Sequence, residues 1–300
     1  MNWKKLGQIY HMKAINDVIV SHASNPLPIH LKDDIYRVFY SGRDDQNKSS
    51  VSFVDIDLIK FEVVNTCKET IFKYGPINSF YSHGVSIGNV YKANEKKYIL
   101  FMGWNIPDNQ HWRGDIGRLE LIEDSQLLLN PKDAFMSTDL VDTVSLSYPF
   151  VIFHEGIYKM WYGTTIDWKL ENNEMLHVIN YATSIDGETW QKHGLAIPYE
   201  IGVAQAFSRP SVIIDESGYH MWYSYRSGDG NKYRIGYSFS SDGINWERQH
   251  SKIGLDISES GWDSEMICYP FVFDHKGERY MLYNGNSHGK FGFGLAILNK

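Results

Sequence analysis

Cysteine is nearly absent from this chain. Only Cys67 and Cys268 occur in 300 residues, which excludes a disulfide framework and matches the usage of a reducing cytoplasm. No apolar run is long enough to span a membrane, and the opening Met1-Asn-Trp-Lys-Lys-Leu-Gly-Gln-Ile-Tyr10 lacks the apolar core of a secretory signal. A cytoplasmic location with no membrane partner is therefore expected. Positive charge is in deficit, since 29 Lys and Arg against 36 Asp and Glu leave a formal net charge of −7. That balance argues against a nucleic-acid partner. Also missing are a Gly-rich phosphate loop leading into a helix, zinc-ligand spacing and a locally supported Ser-His-Asp set, so no cofactor is implied by motif.

Aromatic residues, in contrast, are plentiful and ordered. A tyrosine opens the same strand-like phrase five times, in Tyr36-Arg-Val-Phe, Tyr98-Ile-Leu-Phe, Tyr158-Lys-Met-Trp, Tyr219-His-Met-Trp and Tyr280-Met-Leu-Tyr, at spacings of 62, 60, 61 and 61. Such a period marks a repeat architecture, because one small sheet cannot bury both faces and stacks on copies of itself. About ten residues before the phrase stands an apolar run, as in Pro149-Phe-Val-Ile, Pro210-Ser-Val-Ile and Pro270-Phe-Val-Phe, with turn residues between the two. A third strand follows over 51–58, 115–122, 177–183, 233–239 and 291–298. Ser184-Ile-Asp-Gly-Glu-Thr-Trp190 and Ser240-Ser-Asp-Gly-Ile-Asn-Trp246 then supply a turn and a Trp to wedge between units. The expected fold is all-β, a five-bladed β-propeller with four antiparallel strands per blade, residues 1–300 forming one domain.

In such a fold the starts of the inner strands ring the axis, and the loops from second to third strand open at the same end. The residues just before the inner-strand prolines, or their equivalents, are Asn25, His83, Tyr148, Arg209 and Tyr269. Five unlike polar or aromatic groups at one hub read as a pocket lining. The second-to-third-strand loops add Arg43, Asp44, Trp104, Arg113, Asp115, Asp167, Trp168, Arg226, Asp229 and His288.

With its Pro-opened inner strands, Tyr-x-Met-Trp-Tyr second strands and Ser-x-Asp-Gly-x-x-Trp turns, the chain resembles the five-bladed propeller glycosidases of glycoside hydrolase families 43, 62, 32, 68 and 130, over about residues 20 to 298. The resemblance implies a carbohydrate-active site. It also exposes a departure, because the general base, the pKa-tuning Asp and the acid Glu of family 43 would fall on Asn25, Tyr148 and Ser208. Inverting hydrolysis needs one carboxyl to protonate the leaving oxygen and another to activate water. Either the activity is lost or it has moved. Glu265 is the candidate relocated acid or base, against the alternative of a solvated rim carboxylate. His83 is the candidate proton shuttle, against a wall His that merely hydrogen-bonds. Tyr269, or Tyr148, with Glu265 and Arg209 has the ingredients of a sialidase-like nucleophile, and the resemblance places His288 near where an axial calcium sits in some relatives.

Arg209 is the expected anion clamp, helped by Arg43, Arg113 and Arg226, with Asn25, Asp44, Trp104, Tyr148, Asp167 and His288 completing substrate binding. The ligand is expected to be an acidic sugar, a sugar phosphate or a nucleotide-activated sugar. Two functions follow: a glycosidase or glycosyl-transfer enzyme, or a non-catalytic carbohydrate-binding propeller that has lost its acid–base pair.

Overall fold

The computed structural model describes residues 1–108, 110–228 and 230–299. With 56% strand and 2% helix, it belongs to the all-β class. β1 (Trp3–His11) stands apart at the start of the chain. It is followed by β2 (Ser21–Lys32), β3 (Ile35–Arg43), β4 (Ser49–Asp57) and β5 (Glu62–Thr66). The second group is β6 (Gly84–Ala93), β7 (Lys96–Asn105), β8 (Arg113–Ile122) and β9 (Gln126–Leu129). The third is β10 (Ser145–His154), β11 (Ile157–Asp167), β12 (Leu176–Ser184) and β13 (Gln191–Leu195). The fourth is β14 (Ala206–Asp215), β15 (Gly218–Arg226), β16 (Arg234–Ser240) and β17 (Glu247–Arg248). Last come β18 (Cys268–His275), β19 (Glu278–Asn284) and β20 (Gly292–Leu298).

Each group is an antiparallel meander. Single parallel bridges, Ser49 to Gly84 and His177 to Ala206, join the first to the second and the third to the fourth, giving two eight-stranded sheets. The remaining sheet has the order β1-β20-β19-β18, so the first strand of the chain supplies the missing fourth strand of the last group. The leading strands touch in cyclic order, β2 with β6, β6 with β10, β10 with β14, β14 with β18 and β18 with β2.

The tyrosine phrase lies on the second strand of every group, where alternation sends its side chains into the layers between sheets. Trp161 and Trp222 are fully buried there. Trp161 donates its indole N–H to the Gly243 carbonyl (3.3 Å) and meets Trp246 edge-on at 5.8 Å. The Asp-Gly turns are therefore hairpin devices that feed a Trp into the neighbouring sheet, with Asp242 and Asp186 each accepting backbone N–H groups of their own turn.

Every leading strand carries a two-residue bulge near its start, at Asn25-Pro26, Gly88-Asn89, Tyr148-Pro149, Arg209-Pro210 and Tyr269-Pro270. The four residues before proline have φ between 40° and 58°. The second group differs from the sequence-based alignment, because its bulge residue is Gly88 and not His83. Asn89 stands where the others have proline, and its side chain donates to the Val151 carbonyl (3.0 Å) and accepts from the Val151 N–H (2.9 Å). Gly88 is required for space: a Cβ there would sit 2.8 Å from the carbonyl oxygens of Leu100 and Pro149. Gly88→Ala is expected to destabilise the protein by about 1–3 kcal/mol, the usual penalty of overpacking. Urea unfolding checks this, with Gly292→Ala, whose Cβ would lie against the Tyr10 carbonyl of the β1–β20 ladder, expected to loosen the opposite edge instead.

Candidate functional site

Where the leading strands begin, the five groups surround a cavity of about 350 Å³. Ser86, Tyr148, Ser208 and Tyr269 come from β6, β10, β14 and β18. Arg43, Met102, Trp104 and Arg226 come from the ends of the second strands, while Met175, His177 and Tyr233 stand at the starts of third strands. Trp112 and His288 enter from loops. No carboxylate is among the described residues of this wall.

The electrostatics follow from that imbalance. The Arg43 side chain makes no hydrogen bond or ion pair with any described residue. Arg226 donates from Nη2 to Glu174 Oε1 (2.8 Å) and lies 4.9 Å from the Tyr233 ring, while its buried Nε has no partner. Glu174 thereby positions Arg226 from behind the wall, and also accepts the Met175 N–H (2.9 Å). The ring of His288 lies 5.9 Å from that of Tyr233 and 6.0 Å from that of Tyr269. Burial, reinforced by Arg43 and Arg226, holds its pKa at about 4. His177, gripped by Ser147 Oγ on Nε2 and Thr165 Oγ1 on Nδ1 (both 2.7 Å), is pushed by burial to about 3. Both imidazoles are neutral at pH 7.

Tyr148 donates its hydroxyl to that of Tyr269 (3.4 Å), and burial raises the pKa of each. Both stay phenols near neutrality, so Tyr269 has no activated oxygen for the nucleophilic role read from its neighbours in sequence. Above them, His111 stacks on Trp168 at 3.9 Å and Trp112 meets Trp168 at 4.5 Å, a shelf between two loops that fixes Trp112 at the cavity.

Of the residues expected at the hub and mouth, Arg43, Trp104, Tyr148, Arg226, Tyr269 and His288 meet in this cavity. Others lie elsewhere. Arg209 is 2% exposed and spends Nη1 on the Tyr269 carbonyl (3.0 Å) and Nη2 on the Pro26 carbonyl (2.8 Å). It is a tie across the leading strands, not an anion clamp, and burial lowers its pKa to about 9, leaving it a cation at pH 7. Asn25 is buried beside it, its N–H given to Asn284 Oδ1 (2.9 Å). His83 packs its ring 5.8 Å from Trp104 outside the cavity wall, with a pKa lowered by burial and by Lys48. Glu265 is a half-exposed rim carboxylate paired with Lys232, too far along its loop to line the cavity. Asp44 and Asp167 accept backbone N–H groups of their own loops, from Gln46 and Lys48 (2.9 and 2.8 Å) and from Lys169 (2.8 Å). Arg113 pairs with Asp115 (3.4 Å) and Thr138 (2.9 Å) at the rim. Asp229 lies outside the described residues.

Calcium does not fit at His288, whose neighbours are two arginines and two tyrosines. No group of three or more His, Cys, Asp or Glu able to hold a metal occurs among the described residues. Nor is any helix there long and apolar enough to cross a membrane. The sequence reading passed over Trp112, His177, Tyr233 and Glu174. Their signal was positional: His177 and Tyr233 are the first residues of expected third strands, as near the mouth as the loop residues that precede them.

Several solved structures share this architecture. A protein described as "Glycoside hydrolase" matches with a TM-score of 0.76 at 12% identity, covering 99% of this chain and 91% of that one. A glycosyl hydrolase from Bacteroides ovatus matches at 0.67 and 12%, covering 99% and 94%. A member of the GH130 family, described as mannoside phosphorylases containing glycoside hydrolases that target beta-1,2 mannosidic linkages in Candida mannan, matches at 0.66 and 14%, covering 94% and 85%. The fold is that of the glycoside hydrolase-like propellers. No family model matches the chain. It is 39% identical over 302 aligned residues, 99% of each chain, to uncharacterized protein MT1551 of Mycobacterium tuberculosis strain CDC 1551 / Oshkosh, and likewise to uncharacterized protein Rv1502 of strain ATCC 25618 / H37Rv. The chain belongs to the family of these two proteins.

The buried neutral histidines generate a pH dependence. Their folded pKa values lie below the ordinary 6.5, so between pH 6.5 and about 3 the unfolded chain binds more protons than the folded one. Their contribution is whole above pH 6.5 and is lost as pH falls. For His177 the limiting slope is about 1.4 kcal/mol per pH unit. Thermal unfolding between pH 7 and 4.5 is expected to show a shallower acid decline in His177→Gln than in the wild type.

Proposed function

We propose that this chain is a five-bladed propeller, one domain over residues 1–300, that takes an anionic sugar in its central cavity. The cyclic contacts of the leading strands and the β1–β20 pairing support the blade count. The observation that carries the ligand is Arg43, a cation with no counter-charge among the described residues, in a wall whose described residues include no carboxylate. A partly desolvated cation without a partner is unfavourable, and a bound carboxylate or phosphate relieves it through the planar fork of the guanidinium. Trp104 and Trp112 offer faces on which a sugar ring stacks, and the volume falls in the range of small-molecule sites. An acidic sugar, a sugar phosphate and a nucleotide sugar share this chemistry.

Recognition is the function this geometry supports best, because two-carboxylate hydrolysis finds no carboxyl pair among the described residues of the cavity. Glycosyl transfer is the second reading. It is favoured by the Tyr148–Tyr269 hydroxyl pair, which holds a neutral O–H at the cavity as a proton donor to a leaving oxygen, and by neighbours described as hydrolases and phosphorylases.

Calorimetry with glucuronate, glucose 1-phosphate and glucose tests the proposal. The acidic sugars are expected to bind and glucose to bind at least tenfold more weakly, while Arg43→Ala removes about 1.5–3 kcal/mol from the acidic ligands only, the worth of a charged hydrogen bond. Equal affinity for glucose and glucuronate, unchanged by Arg43→Ala, would sink it. Product released from a nucleotide sugar or aryl glycoside, and lost in Tyr269→Phe, establishes the second reading.

A further inference from the structure

Beside the central cavity lies a second cleft of about 520 Å³. The two share Arg226, Tyr233 and His288, so three side chains form the partition between them. On one side the wall is largely aromatic and thioether. On the other it is polar, with Asn231, Lys232 and Glu265 among its residues. The first surface suits stacking of a ring, and the second suits hydrogen bonding to a hydroxylated group.

Charges at the partition limit what bridges it. Arg226 is balanced by Glu174 at 2.8 Å, Lys232 is balanced by Glu265, and His288 is neutral beside the two arginines. Arg43 is left as the one uncompensated cation among the described groups there. A single negative charge matches it. A phosphomonoester, with −1.5 to −2, exceeds it.

Resting on the anionic-sugar reading above, we propose that the ligand spans both cavities: one sugar ring in the central cavity, a singly charged anionic group against Arg43 and Arg226, and a second sugar-sized group in the cleft beside Lys232. The shared chemistry is a monoanion flanked on both sides. Its two sources are a uronic acid within an oligosaccharide and a phosphodiester joining a sugar to a further group.

The test compares one-unit and two-unit probes by calorimetry. An aldobiouronic acid, one uronic acid joined to one neutral sugar, is set against glucuronate, and a phosphodiester joining glucose through its anomeric oxygen to a second glucose is set against methyl glucosyl phosphate, so that the charge is constant and only the second sugar differs. At least one two-unit probe is expected to bind tenfold or more tighter than its one-unit counterpart, and which one identifies the source. Lys232→Trp fills the cleft without touching the central cavity. It is expected to erase that gain while leaving glucuronate within twofold, with a circular-dichroism melt verifying the fold. One-unit probes that bind as tightly as two-unit probes overturn the spanning ligand and leave the anionic-sugar reading standing. So does a Lys232→Trp variant that weakens both sizes alike or neither. Failure of every acidic probe to bind overturns both.

Discussion

A bulge at the head of each leading strand is the constraint from which the rest of the molecule follows. Four of the five place a non-glycine residue at positive φ directly before a proline, a conformation that is individually unfavourable by about 1–3 kcal/mol and persists only where surrounding contacts over-determine it. Those contacts come from the neighbouring groups. Arg209 holds the Pro26 and Tyr269 carbonyls, Asn284 holds Ala23 and Asn25, and Asn89 holds both polar atoms of Val151. The bulges thus knit the leading strands together where regular ladders would stop. They also rotate Tyr148 and Tyr269 to the cavity, so one backbone device serves packing and site.

The same side-chain type takes opposite parts according to what it meets. Arg209 and Arg43 both stood out in the sequence as arginines near the axis. Arg209 is sealed in and solvated by backbone carbonyls, which offer partial charge without neutralising it. Arg43 is at the cavity wall with no such cage. The difference arises from one position in the strand. The Arg209 side chain is enclosed by the neighbouring leading strands, whereas Arg43, at the end of a second strand, meets the space the bulges leave.

Architecture was legible because it is written in repetition: the tyrosine phrases, the prolines and the Asp-Gly turns recur at a period that local burial demands, and the expected third strands fall within about two residues of β4, β8, β12, β16 and β20. The site was legible only in part, since a side chain's direction depends on register that motifs do not state. His83 was aligned with the prolines although the bulge fell five residues later at Gly88-Asn89, where Asn replaces Pro and the repeat signal fades. Glu265 looked central because it lies four residues before Tyr269, yet the loop carrying it runs along the rim and ties it to Lys232. Tyr233 and His177 went unnoticed for the converse reason, as they read as ordinary strand residues.

A cavity wall without carboxylates among its described residues changes what the remaining groups can do. In a wall holding acidic residues, arginines and histidines spend their charge on internal pairs, and an acidic ligand meets repulsion. Here a carboxylate close to the wall, Glu174, sits behind Arg226 and fixes its direction. The Arg43 side chain has no internal partner among the described residues, and burial, reinforced by the two arginines, keeps His288 neutral. Among the described residues the wall has no carboxyl pair and keeps an unpaired guanidinium, so the same absence that withholds the groups of two-carboxylate hydrolysis leaves a positive charge facing the cavity.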